Sequence, residues 1–371
     1  MTSPALTATV DLGAIAHNVD VLRTASNAAV MAVVKADAYG HGAVPVAKAA
    51  LAAGAAELGV AHITEARALR AAGVDAPITA WLHAPGADFE GAVTDHIGIA
   101  LSSSRQLDAV VAAARATGVA ASVTAKVDTG LNRSGIAAEE WDDFAEQVAK
   151  AHAEGAVTLR AVMCHLARGD EPDHPLNSEQ AARLDAAAAD LARLGAAPEI
   201  MHIANSPAAL TRPDLARDMV RPGVAVYGRT PVPELGDFGL IPAMTLSAPV
   251  ALVKKVAAGA GVSYSHTWIA PHDTVVAVIP RVMPTACRDC CRVASRSGSA
   301  TASSAGSAGS AWISWSSTSG RTGPGSGRAT RSNSSAPGPA AAPPPRTGPT
   351  PSARSTTRSC PRSATAWSGA T

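Results

Sequence analysis

From residue 29 onward, short apolar runs alternate with longer stretches whose apolar residues recur every three or four positions. The runs occupy 29–34, 57–61, 77–81, 97–101, 121–127, 158–164, 199–203 and 218–220, and each has the length of a strand. Between them lie helical-period segments such as VPVAKAALAA, EEWDDFAEQVAKAHAEG and SEQAARLDAAAADLARLG. Runs without polar alternation belong to strands covered on both faces, as in a parallel sheet flanked by helices. Eight strand–helix units predict an α/β fold, a closed (β/α)8 TIM-type barrel over residues 12–236, rather than an open sheet.

After Gly228 the texture changes. PAMTLSAPVALVKKV, GVSYSHTW and TVVAVIP are β-rich with turn residues between them. Residues 237–280 therefore read as the start of a β-rich C-terminal domain, and residues 1–11 as an N-terminal strand joining it. Beyond 281 the composition breaks. Residues 281–371 hold 11 of the 31 basic residues but one acid, Asp289, leaving 20 bases and 29 acids in the body. The tail has no Lys, Glu or Leu and reads as low-complexity and disordered, so the β domain is expected to be incomplete.

Hydrophobic content of 47% is ample for a core. No basic-then-apolar leader opens the chain and no run of about 18 apolar residues occurs, so no membrane span is expected. Cys164 is the single cysteine before residue 281, which suits a reduced, cytoplasmic protein. Cys287, Cys290 and Cys291 lack a second Cys or His pair at ligand spacing, so no metal is expected. The tail's arginines are scattered singly, which disfavours nucleic acid as a partner.

Barrel enzymes carry their chemistry on the loops after the strands. Lys35 follows the first strand and Arg133 the fifth; His165 closes the sixth, Asn205 and Ser206 follow the seventh, and Arg221 the eighth. Taken singly, each has an ordinary reading. Lys35 would be a solvated loop residue and His165 a core histidine; Arg133 or Arg221 would pair with Asp128 or Asp218. Together they share one end of the barrel. A lysine beside apolar surface loses pKa and can form a Schiff base with an aldehyde. Backbone N–H groups around Gly223 and Val224, with the Ser206 hydroxyl, could hold a phosphate. These groups point to pyridoxal 5'-phosphate.

AVVKADAYGHG, KVDTGLNRSG, HLARGDEP, HIANSPA, RPGVAVYG and GVSYSHTW, in this order and spacing over about residues 5–280, resemble bacterial alanine racemase. The resemblance implies a barrel plus a β domain in a head-to-tail homodimer. It also implies interconversion of L- and D-alanine, which supplies D-alanine for cell-wall peptidoglycan. Lys35 is similar to the lysine that carries the cofactor and handles the proton on the D face, and Tyr264 to the base serving the L face from the partner subunit. Tyr39 looks like the tyrosine touching the phosphate with Ser206, Gly223 and Val224, and Asn205 lies in the same set. Arg221 resembles the arginine facing the pyridine nitrogen, and Arg133 the one near the substrate carboxylate. Lys126 resembles a lysine that can be carbamylated, and His165 and His202 match histidines behind the cofactor. Another pyridoxal-phosphate barrel, a decarboxylase or broad-range racemase, is the enzymatic alternative. A non-catalytic pyridoxal-phosphate homeostasis protein is the other, but it has no β domain.

After VIP the family continues with glycine, tyrosine, alanine, aspartate and glycine, whereas this chain reads RVMPTACRDCCRV. In the overlapping frame Met283–Pro284 must spell alanine, and Asp289–Cys290 and Cys290–Cys291 must spell leucine. With G or C at most free third positions, the stretch from Val282 to Val293 becomes GYADGLPRLLSG. The residues from about Arg281 onward thus read as a shifted-frame translation.

Overall fold

The computed structural model describes residues 7–266, 268–278, 300–303 and 312–315, the last two segments by backbone alone. The side chain of Tyr264 and most of the 281–371 tail, including its expected disorder, lie outside the described residues.

β1 (Thr7–Val10) precedes eight short parallel strands: β2 (Ala29–Val33), β3 (Glu57–Val60), β4 (Ile78–Ala80), β5 (Gly98–Leu101), β6 (Ala121–Lys126), β7 (Val157–Met163), β8 (Ile200–His202) and β9 (Met219–Val220). The eight form one sheet in the order β8-β7-β6-β5-β4-β3-β2-β9. Registers run from Ala29↔Met219 and Met31↔Glu57 round to Val162↔Met201. The last seam, between β8 and β9, is closed by Asp218 N–H on Met201 O (3.2 Å) and Arg221 N–H on Ala204 O (2.8 Å). The Asp218 carboxylate also accepts from Met201 N–H at 2.8 Å. The sheet is thus the predicted closed barrel, with seven strands a residue or two shorter than their apolar runs and β7 of equal length but offset by one residue.

The strands are mostly apolar because both faces are largely covered. Val30, Ala32, Leu58, Val60, Ile99 and Val123 are fully buried, which is why the period-2 alternation of a half-exposed sheet is absent. Helices Leu12–Ser26, Ala43–Ala52, Ile63–Ala71, Ser104–Thr117, Trp141–Ala153 and Pro175–Arg193 form much of the outer layer. The first starts at Asp11, whose carboxylate accepts from the N–H groups of Gly13 and Ala14. It buries the stripe Ala14, Ile15, Asn18, Val19 and Leu22, the spacing of one helix face.

The barrel passes into the β region through a close crossing. β10 (Met244–Ser247) pairs antiparallel with β1. Just ahead of it, buried Asn18 donates to Val226 O (3.0 Å) and Ile241 O (2.9 Å) and accepts from Ile241 N–H (2.8 Å). Gly228 allows this approach: its φ is +78°, and a Cβ there would lie 1.9 Å from Ile241 O. β11 (Leu252–Val256) then pairs with β14 (Thr274–Val278), and the short β12 (Gly261–Val262) with β13 (Trp268–Ile269). The β14 backbone is joined in turn by β16 (Trp312–Trp315) and β15 (Ala300–Ser303).

The two ends of the barrel differ in charge. At the amino-terminal ends of the strands, buried Glu57 pairs with Arg160 (2.9 Å) and accepts the Thr79 hydroxyl (2.6 Å). A cavity of about 260 Å³ adjoins them, lined also by Arg70, Asp75 and His96. Charges there are balanced locally, as befits the structural end of a barrel.

Candidate active site

The carboxyl ends of the strands carry an excess of positive charge. The buried guanidinium of Arg221 is held by its Nη1 on His202 O (2.7 Å) and His202 Nδ1 (2.9 Å), and by its Nη2 on Cys164 O (2.6 Å). Among the described residues no acid pairs with it. Burial pushes Arg221 down to about 10, so it stays charged at neutral pH. Because His202 Nδ1 accepts from an obligate donor, its imidazole is neutral with the proton on Nε2, and burial beside Arg221 drives its pKa well below the usual value.

The expected acid partners are occupied elsewhere. Asp218 serves the strand seam, and Asp128 Oδ1 accepts from the N–H groups of Gly130 and Asn132 (both 3.0 Å), shaping the loop that carries Arg133. The ordinary ion-pair reading of Arg133 and Arg221 is therefore not realised with these acids. Lys126, at the end of β6, is 6% exposed and donates to Ser134 Oγ at 2.6 Å. Burial, then Arg221 and Arg133, bring it down to about 8. The half-buried His165 is pushed down to about 3, first by burial and then by Arg221, Arg133, Lys126 and Lys35. One imidazole thus lies in the field of all four cations.

Lys35 leaves β2 into the turn that the following small residues and glycines predict, but with a hand that the sequence did not foretell. Ala36, Asp37, Ala38 and Tyr39 have φ of 52°, 52°, 53° and 56°, a left-handed turn without glycine until Gly40. Each such residue costs roughly 1–2 kcal/mol, so the surroundings must hold it. Its ring contacts do part of this. Tyr39 stacks on Tyr227 with centroids 4.9 Å apart, and His41 lies 4.6 Å from the same ring. The Tyr227 hydroxyl donates to Val33 O (2.8 Å) at the end of β2. Lys35 Nζ lies 5.9 Å from the Tyr39 ring centre, within cation–π range.

Across from this turn, buried Ser206 Oγ accepts from Gly223 N–H (2.8 Å) and Ala225 N–H (3.3 Å). With both acceptor positions used, its own proton is left for a further acceptor. Gly223 is pressed against Tyr39: a Cβ there would sit 2.4 Å from the Tyr39 hydroxyl. Val224 follows in the same turn. Asn205 caps the helix Ser206–Thr211, its Oδ1 accepting from Ala208 N–H at 3.4 Å. Lys35, Tyr39, Ser206, Gly223 and Val224 are therefore gathered at one mouth, with Lys126, Arg133, His165 and Arg221 beside them.

Two residues at this mouth were not read from the sequence. Tyr227 sits inside the quoted RPGVAVYG but gave no signal of its own. His83, after β4, packs edge-on against Phe89 at 5.5 Å and has both ring nitrogens without a hydrogen-bond partner. Tyr264 opens a single turn, Tyr264–His266, preceded by Ser263 and containing Ser265, both at positive φ.

A parallel eight-stranded barrel with lysine, phosphate-sized donors and unpaired cations at its carboxyl end, followed by a β region, defines a phosphate-cofactor barrel enzyme. Two family models match in turn: "Alanine racemase, N-terminal domain" over residues 10–231 and "Alanine racemase, C-terminal domain" over residues 243–281. The alanine racemase of Mycobacterium ulcerans is 56% identical over 274 residues, 74% of this chain and 71% of that protein. That of Mycolicibacterium smegmatis is 54% identical over 285 residues, 76% and 73% of the two chains. The solved alanine racemase from Streptomyces lavendulae is 42% identical with a TM-score of 0.74, covering 85% of this chain and 84% of that one. The chain belongs to the alanine racemase family.

The family depends on pyridoxal phosphate, and the residues present fit that group. The Ser206 proton and the Tyr39–Gly223 contact offer a cradle for phosphate, and four cations stand ready for an anionic ligand.

The neutral imidazoles make the site acid-labile. His83 is pushed by burial from 6.5 to about 4 and His165 from 6.5 to about 3. Below pH 6.5 the unfolded chain binds these protons while the folded chain refuses them, so stability falls as pH drops toward 4. Urea midpoints measured from pH 7 to 4 should decline, and more shallowly in His83→Phe; parallel curves would remove His83 as a cause.

Proposed function

We propose that this chain interconverts L- and D-alanine in the cytoplasm, supplying D-alanine for cell-wall peptidoglycan. The observation that carries this reading is the set of cations Lys35, Lys126, Arg133 and Arg221 around His165, with Arg221 bound to carbonyls and an imidazole instead of an acid. When bound, pyridoxal phosphate supplies an electron sink that makes the α-proton of an amino acid removable. An acid opposite the ring nitrogen would protonate it and deepen that sink, as decarboxylases require. Arg221 cannot give up its proton at neutral pH, so it keeps the sink shallow and favours return of the proton.

The chain's own groups then have separate tasks. Lys35 anchors the cofactor and, once released, its amine moves the proton on the D face of Cα. Tyr264 of the partner subunit serves the opposite face, because racemisation needs a proton group on each. Arg133 receives the substrate carboxylate; Lys126, brought down to about 8, can shed its proton and be carbamylated, and the carbamate anion would then hold Arg133 in place instead of acting as a fourth cation. Ser206, Gly223, Val224 and Tyr39 hold the phosphate, and Asn205 and His165 border it. A homodimer supplies the second face. Leu246, Val250, Leu252, Val253 and Ile269 are each more than half exposed, an apolar surface that a lone subunit would leave in water.

Lys35 is tested by chemical fixation. Borohydride reduction of the cofactor-loaded protein should label the peptide containing Lys35, and Lys35→Ala should lose the label and at least about 10²–10⁴-fold in racemisation. A label on another lysine overturns the assignment.

We also infer that the chain departs from its family at about Arg281 through a shifted reading frame. The C-terminal family model stops at residue 281, the match takes in only 71% and 73% of two relatives, and the overlapping frame restores the family's motif. Restoring the frame should complete the β domain and raise racemisation at least about a hundredfold, the cost of a misplaced proton group. Resequencing the gene decides the point: an uninterrupted frame in independent DNA, with a matching tail peptide by mass spectrometry, would contradict it.

A further inference from the structure

We infer that Glu65 is a positioning residue for Lys35: its carboxylate clamps the left-handed turn that presents the lysine. The inference rests on the assignment of Lys35 as the cofactor lysine. Glu65 is the third residue of the helix Ile63–Ala71, on the strand-to-helix unit next to that of Lys35. One carboxylate oxygen, Oε2, accepts from Ala61 N–H (2.9 Å) and His62 N–H (3.0 Å), which fastens the start of its own helix. The other, Oε1, reaches across to the neighbouring loop and accepts from Ala36 N–H at 2.6 Å.

That second bond lies at the residue where the chain changes hand. Val34 N–H still follows the barrel and donates to Gly59 O at 2.8 Å. Ala36 is the first of four non-glycine residues at positive φ, and its N–H is directed away from the strand ladder toward Glu65. The rest of the turn has its own ties: Ala38 N–H to Val34 O (2.9 Å), Gly42 N–H to Asp37 O (3.0 Å) and Ala43 N–H to Asp37 Oδ1 (2.7 Å). The tie at Ala36 is the one that comes from a different strand–helix unit and adjoins the lysine. A carboxylate accepting backbone N–H groups makes charge-assisted bonds, stronger than a neutral acceptor would. Without it, the strained turn is free to relax toward right-handed backbone and carry the Lys35 amine away from the Ser206–Gly223 cradle.

A helix-capping role alone would make different predictions. Ala36 is exposed, so Ala36→Gly changes little besides easing positive φ. Glu65→Ala should weaken cofactor binding and slow borohydride labelling of Lys35 by about tenfold, the equivalent of one strained residue's release. Adding Ala36→Gly should recover most of the cofactor binding and labelling while leaving any loss of thermal stability unrepaired. Glu65→Gln, with one good acceptor atom, should fall between and serves the same comparison if Glu65→Ala does not fold. No rescue by Ala36→Gly, or cofactor affinity and labelling unchanged in the Glu65 variants, overturns the inference. A label away from Lys35 in the unaltered chain instead overturns the lysine assignment, and the clamp with it.

Discussion

A buried guanidinium with no acid to meet it governs this site. Arg221 takes its hydrogen bonds from Cys164 O, His202 O and His202 Nδ1, three acceptors without net charge. The hydrogen bonds use three of its five N–H donors and leave its positive field intact. Burial first, and that field second, depress Lys126 and His165 and keep His202 neutral. A barrel that balanced Arg221 with a carboxylate, as Arg160 is balanced by Glu57 at the other end, would lose both its attraction for an anionic cofactor and its control over the ring nitrogen.

The acids nearby are committed to the backbone instead of to these cations. Asp128 and Asp218 lie close in sequence to Arg133 and Arg221, yet one folds its own loop and the other seals the β8–β9 seam. Each carboxylate accepts from backbone N–H, so the cations remain available to ligand. The mouth thus combines a rigid frame with unsatisfied charge, which is the arrangement a binding site for an anion needs.

Much of this was legible in the sequence because it depends on burial. Strands such as Val30–Val33 and Ile99–Leu101 are apolar on both faces, and the polar residues that end them share one end of any parallel barrel. The left-handed turn after Lys35 was not legible, since Ala36, Asp37, Ala38 and Tyr39 contain no glycine to announce positive φ. It is imposed from outside by Tyr227, by the tight Tyr39–Gly223 contact and by Glu65. The helix start His62–Ile63–Thr64–Glu65 lacks, at its cap position His62, the Ser, Thr, Asp or Asn that announces a cap, and nothing in it revealed that one carboxylate oxygen serves the next loop. Tyr264 rests on resemblance alone, its side chain lying outside the described residues.

The central claim, that an unpaired cation keeps the electron sink shallow, is tested most directly by the fate of substrate in Arg221→Glu. Racemisation and keto-acid by-product are measured together from alanine, with Arg221→Lys as the charge-preserving control and bound cofactor quantified in each. The account predicts that Arg221→Glu retains cofactor, racemises on the order of 10²–10³-fold more slowly and diverts a larger share of turnovers to keto acid, while Arg221→Lys keeps the original ratio. An unchanged ratio in Arg221→Glu with cofactor bound would contradict it, leaving Arg221 as a structural brace between β7 and β8.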